Sequence, residues 1–191
     1  MMSRLGTFLI LFSFFISATN AISNKQPNEA EKWVKKYISQ PKEKVARLHF
    51  YLQDNLSGPD ATLWEVARSK ITSNSSSGFG QVTVLDDLIT AGPDRNSKKL
   101  GRAQGIIISS DLQELSLAMN INIVFTAGPY KGSTLSILGR NAIGTTSREL
   151  PVVGGTGIFR MARGFAISNT HAYDTTGNYG VLEYTVYVFY V

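Results

Sequence analysis

The chain contains no cysteine. That excludes disulfides, thiol nucleophiles, iron–sulfur clusters and Cys-ligated zinc together. Histidine is nearly as scarce: His49 and His171 stand far apart, without the spacing of a metal-binding pair. Asp86-Asp87 is a second candidate for a cation, but neighbouring side chains on a strand point to opposite faces. There is no G-x-S-x-G elbow for a serine hydrolase. There is also no P-loop, and no G-x-G-x-x-G ahead of a helix. These absences lead us to expect no metal and no cofactor.

Long apolar runs are missing after the first 21 residues. Arg4 precedes an apolar stretch from Leu5 to Ile16, and small and polar residues follow it to Ala21. This is the pattern of a secretory leader, with Thr19 and Ala21 at the −3 and −1 positions of a cleavage site after Ala21. The stretch is too short to span a bilayer comfortably. The expected product is a secreted protein with no membrane attachment in its mature form. Acidic residues are also outnumbered, 14 Asp and Glu against 19 Lys and Arg. Much of the excess lies between Lys25 and Arg47 and reads as a solvated face. No nucleic-acid motif accompanies it, so no nucleic-acid partner is expected. Asn55-Leu-Ser and Asn74-Ser-Ser are glycosylation sequons, the second in a Ser-rich loop.

Helical patterning is confined to Asn28–Gln40, where Ala30, Trp33, Val34, Tyr37 and Ile38 fall near one face and Pro41 follows. We assign residues 22–44 to a partly helical N-terminal extension and residues 45–191 to one domain. From Val45 the period becomes two. Ala46, Leu48, Phe50 and Leu52 share one face, and Asp54 continues that apolar row. Further strands are expected at Leu63–Val66, Gly80–Leu85, Gly105–Ser109, Leu115–Phe125, Ser133–Leu138, Gly157–Ala162, Gly164–His171 and Val181–Tyr190. Many short strands with turns between them indicate an all-β sandwich or barrel.

Glycine is concentrated between Gly128 and Gly164, which holds eight of the 17. Gly154, Gly155 and Gly157 read as turn positions needing positive φ rather than as a phosphate cradle. Arg148 lies just before Leu150-Pro-Val-Val. In an apolar barrel mouth, Asp54 and Arg148 would be desolvated together. They could form an internal salt bridge that fixes the barrel, or an acid and a cation that act on a phenolic ligand. His49 faces away from Asp54. Trp33, Trp64, Tyr51, Tyr184 and Tyr187 read as packing residues, and Arg102, Arg160 and Arg163 as partners of carboxylates or turn carbonyls.

Six motifs then stand in order: Leu48-His-Phe-Tyr-Leu-Gln-Asp54, Phe79-Gly-Gln-Val-Thr-Val-Leu-Asp-Asp87, Gly101-Arg-Ala-Gln-Gly105, the run from Asn122 to Leu135, Gly139-Arg-Asn141, and Val152 to Gly164. Together they resemble the plant dirigent family, in its cysteine-free branch apart from the lignan-forming members. The resemblance implies a calycin-like, eight-stranded antiparallel up-and-down β-barrel with a short N-terminal helical extension. It also implies a homotrimer secreted to the apoplast. Family members set the stereochemistry of phenolic coupling while a separate laccase or peroxidase makes the radicals, within phenylpropanoid metabolism and defence. Others act as pterocarpan synthases on isoflavonoid quinone methides, and a non-catalytic wall protein is a third possibility. By motif, Asp54 and Arg148 match the family's catalytic pocket residues and Thr170 a pocket threonine. Asn141 stands where the lignan-forming members carry a second pocket aspartate. An amide hydrogen-bonds but cannot relay a proton.

Overall fold

The computed structural model describes residues 29–39 and 43–191. The leader and residues 22–28 and 40–42 of the N-terminal extension lie outside the described residues. The chain divides into two units, Met1–Lys42 and Glu43–Val191. In the first, α1 spans Glu29–Ser39, within the segment expected to be helical. Trp33 stacks on Tyr37 there, four residues along the same face, with ring centroids 5.2 Å apart. Among the described residues, no helix is long and apolar enough to cross a membrane.

The second unit is a closed β-barrel. Its strands are β1 (Lys44–Asn55), β2 (Leu63–Ala67), β3 (Val82–Thr90), β4 (Lys99–Ser109), β5 (Ser116–Phe125), β6 (Thr134–Ala142), β7 (Ser147–Thr156), β8 (Arg163–Asp174) and β9 (Tyr179–Tyr190). Strands β3 to β9 form an antiparallel meander, and β1 pairs with both β9 and β3 to close eight strands. The short β2 lies outside the ring, paired with the first half of β3. Closure removes the unpaired edges that an open sheet would present.

Alternation builds the interior. Ala46, Leu48, Phe50 and Leu52 of β1 face Tyr184, Val186 and Val188 of β9 and the inner row Met119, Ile121, Ile123 and Phe125 of β5 in one buried cluster. At one end, Phe125, Tyr130, Phe159 and Tyr190 meet ring against ring, with centroids 4.9 to 5.8 Å apart. That end is filled. The other end is open and holds the cavity.

One expected strand is displaced. Gly157–Ala162 is not a strand: Gly157–Phe159 forms a single 3-10 turn, and the strand lies immediately before it, at Ser147–Thr156. The turn drives Phe159 into the closed end, where it is fully buried. Of the three glycines read as turn positions, only Gly157 has positive φ, at 62°. Gly155 is in β7 and is required for another reason. A Cβ there would stand 2.4 Å from the Thr134 carbonyl oxygen and 2.7 Å from the Phe159 Cβ.

Two pairings in the ring stop short of the open end. β1 and β3 pair over only three positions, the last being Gln53 with Leu88. β6 and β7 pair from Thr134–Thr156 to Ile137–Val152 and then cease. Pro151, which has no N–H to give, packs against Gly139 at that point: a Cβ on Gly139 would lie 2.7 Å from the proline ring. The open end therefore has two unlaced seams on different sides of the mouth.

Candidate functional site

Extending each interrupted register shows what flanks the seams. The next pair beyond Gln53 and Leu88 is Asp54 and Asp87. Beyond Ile137 and Val152, the same count brings Asn141 opposite Arg148. All four line one cavity of about 820 Å³, which falls in the range of small-molecule sites. Its wall has two halves. Asp87, Asp54, Tyr184, Thr170, Arg148 and Asn141 run through consecutive strands of the ring, from β3 through β1 to β6. Leu63, Leu85, Ile107, Leu117, Met119 and Ile121 form the apolar remainder.

Arg148 is buried but makes no ion pair among the described residues. Its Nη1 donates to Thr170 Oγ1 at 3.0 Å and its Nη2 to Ser168 Oγ at 3.3 Å, while Nε has no partner. The internal Asp54–Arg148 salt bridge considered from the sequence is thus absent. Neutral hydroxyls orient the guanidinium and leave its charge and one N–H toward the cavity.

The carboxyl pair is held differently. Thr62, in the loop before β2, sits at the fork between β1 and β3. Its N–H donates to the Asn55 carbonyl at 2.8 Å, and its own carbonyl accepts from Asp86 N–H at 2.9 Å. Its hydroxyl accepts from Asn55 N–H at 3.0 Å and donates to Asp87 Oδ1. Burial pushes the carboxyls of both Asp54 and Asp87 up. The Asp54 charge adds to the rise of Asp87, while Thr62 and the more distant Arg102 oppose it. Asp54 is pushed up to about 6 and Asp87 to about 9. Two such groups side by side disfavour each other's ionisation, so the pair holds a proton to higher pH than a free carboxylate does.

The remaining polar groups are also underused. Asn141 Nδ2 donates only to Met119 Sδ, at 2.8 Å, and its Oδ1 has no partner. The Tyr184 hydroxyl is buried beside Ser168 without a hydrogen bond of full geometry, and burial pushes it up to about 12. Five buried side-chain polar atoms lack partners among the described residues. Four of them belong to this cavity: Asp54 Oδ1, Asn141 Oδ1, Arg148 Nε and Tyr184 Oη. Buried polar groups in folded proteins are normally satisfied. Their concentration in one cavity marks it as the place where a polar ligand completes the structure.

All four pocket residues chosen from the sequence come together here. Asp87 and Tyr184 were missed as site residues. Asp86 and Asp87 do diverge as strand neighbours must: Asp86 bonds Arg102 outside the barrel at 2.7 Å, and Asp87 faces the cavity. His49 points outward and pairs with Glu183 at 2.7 Å. Trp64 is exposed on the outer side of β2 rather than packed in the core. Asn74 is exposed, whereas the Asn55 amide is engaged by the Asp60 carbonyl at 2.9 Å. Among the described residues, no group of three or more His, Asp or Glu is placed to hold a metal ion.

Fold and site together define a small eight-stranded barrel with one closed end and one amphipathic, ligand-sized pocket. The family model described as Dirigent-like protein matches residues 45–189. The chain is 38% identical over 183 residues to Dirigent protein 21 of Arabidopsis thaliana, covering 95% of this chain and 97% of the relative. It is 42% identical to pterocarpan synthase 1 of Glycyrrhiza echinata, covering 78% and 79%. The solved structure of the pterocarpan synthase dirigent protein GePTS1 superposes with a TM-score of 0.73 at 41% identity, covering 78% of this chain and 87% of that one. The chain belongs to the dirigent family.

Proposed function

We propose that the barrel binds a phenol bearing a hydroxyl on its para-benzylic carbon and directs dehydrative ring closure through a quinone methide, as a pterocarpan-synthase-type protein. One observation carries this reading: unpartnered polar atoms ring a single apolar cavity, with buried carboxyls at one seam and a free guanidinium N–H at the other. Arg148 holds the phenolic oxygen as its negative charge develops. Loss of the benzylic hydroxyl as water leaves the quinone methide. A second hydroxyl of the same molecule then adds to the exposed carbon and restores the phenolate, while Asp54 takes the proton that this hydroxyl releases. Holding the reacting groups together is worth roughly 7–11 kcal/mol in favourable cases. Tenfold selectivity between enantiomeric products needs only about 1.4 kcal/mol. The similarity to pterocarpan synthases in sequence and structure supports the reading.

The test uses purified protein and a racemic isoflavan-4-ol carrying hydroxyls at C7, para to the benzylic carbon, and at C2′, without an oxidase, followed by chiral chromatography. Consumption of one enantiomer and an optically active product are expected. A racemic product at the uncatalysed rate would refute the proposal.

A second reading has its own support. About 820 Å³ leaves room for two phenylpropanoid units. In that case the pocket orients phenoxy radicals supplied by a laccase or peroxidase, and product chirality depends on the oxidase being present. Repeating the assay with coniferyl alcohol and laccase separates the two. We also propose that the protein is secreted, carries a glycan at the exposed Asn74 and assembles as a homotrimer. Exposed Trp64, Val66, Val84, Leu138 and Val153 on the outer wall fit self-association. Light scattering of the protein made with its leader in a plant host tests the mass, and glycosidase treatment tests the glycan.

A further inference from the structure

We infer that Asp87 is a second catalytic carboxyl, sharing with Asp54 the one proton exchanged at the reacting carbon, and that Thr62 is the positioning residue that orients it. This deepens the ring-closure reading and rests on it. The register places Asp87 directly across the unlaced seam from Asp54, and both line the cavity. Asp87 is 1% exposed, and neither carboxyl makes an ion pair among the described residues. No cation pairs directly with either carboxyl: Arg102 binds Asp86 outside the barrel, and Arg148, whose charge only partly offsets the burial of Asp54, donates to Thr170 and Ser168. The other titratable groups bordering the cavity are Glu65 on β2 and Tyr173 and Tyr184 on β8 and β9, and Tyr179 lies just outside it. None of these supplies a neutralising positive charge. Two carboxyls so placed cannot both ionise, because each charge is buried and repels the other.

Thr62 fixes which oxygen holds the proton. Its hydroxyl accepts from Asn55 N–H and donates to Asp87 Oδ1, with the Asn55 carbonyl at 3.5 Å the longer alternative. Oδ1 is thereby an acceptor, and the Asp87 proton belongs on Oδ2. Asn141, at the opposite seam, cannot exchange a proton. Asp87 supplies the second carboxyl that the asparagine does not.

The step balances without an oxidant. Asp87 gives its proton to the benzylic hydroxyl, the C–O bond breaks, and water leaves as the phenolate held by Arg148 becomes the quinone methide carbonyl. The second hydroxyl forms the new C–O bond and yields its proton to the Asp54–Asp87 pair, and the ring electrons return to the phenolate oxygen. Leaving and entering oxygens meet the same carbon, so an adjacent pair serves both transfers, whereas two distant acids would not.

Asp87→Asn should slow turnover about 100-fold or more, and remove an infrared band of a neutral carboxyl that wild type keeps at pH 7. Thr62→Val should shift the pH profile of kcat, and Thr62→Ser should restore it. Turnover within about threefold of wild type in Asp87→Asn, with the pH profile unmoved, overturns the inference. So does absence of the band in the wild type. If wild type turns over nothing, ring closure itself falls, and the infrared band still decides whether the pair holds a proton.

Discussion

At the closed end of the barrel, Phe125, Tyr130, Phe159 and Tyr190 pack ring against ring. At the open end the same ring of strands carries Asp54, Asp87, Asn141 and Arg148, with polar atoms that no described residue satisfies. At the closed end β6 and β7 are laced, with pairing from Thr134 to Ile137. The open end is unlaced at two seams, and its polar residues sit on the freed strand ends. The difference divides the barrel along its axis into a packed end and an end with unsatisfied polar groups. One end is packed ring against ring, and the other holds the unpartnered groups on which the proposed ligand would act.

The division is broken most directly from the closed end. Phe159→Ala removes a fully buried ring contacting three other aromatic rings. It should cost about 3–5 kcal/mol of unfolding free energy, read by urea denaturation. A loss below about 1 kcal/mol would show that the aromatic cluster is not the anchor. The pocket lies at the far end, so folded Phe159→Ala protein should bind ligand nearly as tightly as wild type.

Asp54→Asn should do the opposite. Turnover falls by about 100-fold or more, because a proton acceptor is lost, while the fold gains stability at neutral pH. The sign follows from proton binding. Asp54 and Asp87 hold their protons in the native state up to about 6 and about 9, whereas unfolded aspartates release theirs near 4. Between these limits the native state binds more protons, so wild-type stability falls as pH rises through about 4 to 9. Removing Asp54 removes its own contribution and its repulsion of Asp87. The variant's pH profile should be flatter, with a gain of roughly 1–3 kcal/mol at pH 7, the scale of an uncompensated buried polar group. Parallel denaturation profiles for variant and wild type would end this account of the carboxyl pair.

The sequence exposes the closed end's construction more readily than the open end's. Alternation along β1 put Ala46, Leu48, Phe50, Leu52 and Asp54 on one inner row, and the structure agrees. The same rule applied to Thr83, Leu85 and Asp87 identifies Asp87 once the strand is carried past Leu85, where its apolar residues give way to two acids, to Thr90. Strand β7 was obscured because Pro151 and the glycines look like turn residues. Their use is to stop the β6–β7 ladder and to let Phe159 approach Gly155. The seams themselves depend on register between segments tens of residues apart, such as Gln53 with Leu88. No local pattern specifies where such a ladder ends.

The finest test lies within the open end, where two hydroxyls hold one guanidinium. Ser168 is fully buried and bonds Arg148 Nη2, and Thr170 is exposed and bonds Nη1. Ser168→Ala leaves Nη2 without a side-chain acceptor in a place water does not reach. It should cost about 1–3 kcal/mol. Thr170→Val keeps the shape of the side chain and removes only an acceptor that solvent can replace, so its cost should stay near 0.5–1.5 kcal/mol or below. The two variants should differ more in ligand affinity than in stability. Loosening Nη2 frees the buried half of the guanidinium to swing away from the phenolic oxygen, while loosening Nη1 leaves that half anchored. Titration calorimetry with an unreactive isoflavan measures both. Equal affinity losses in Ser168→Ala and Thr170→Val would mean that burial does not set the strength of this clamp. The contrast between a self-satisfied end and a ligand-satisfied end would then fail at its most local point.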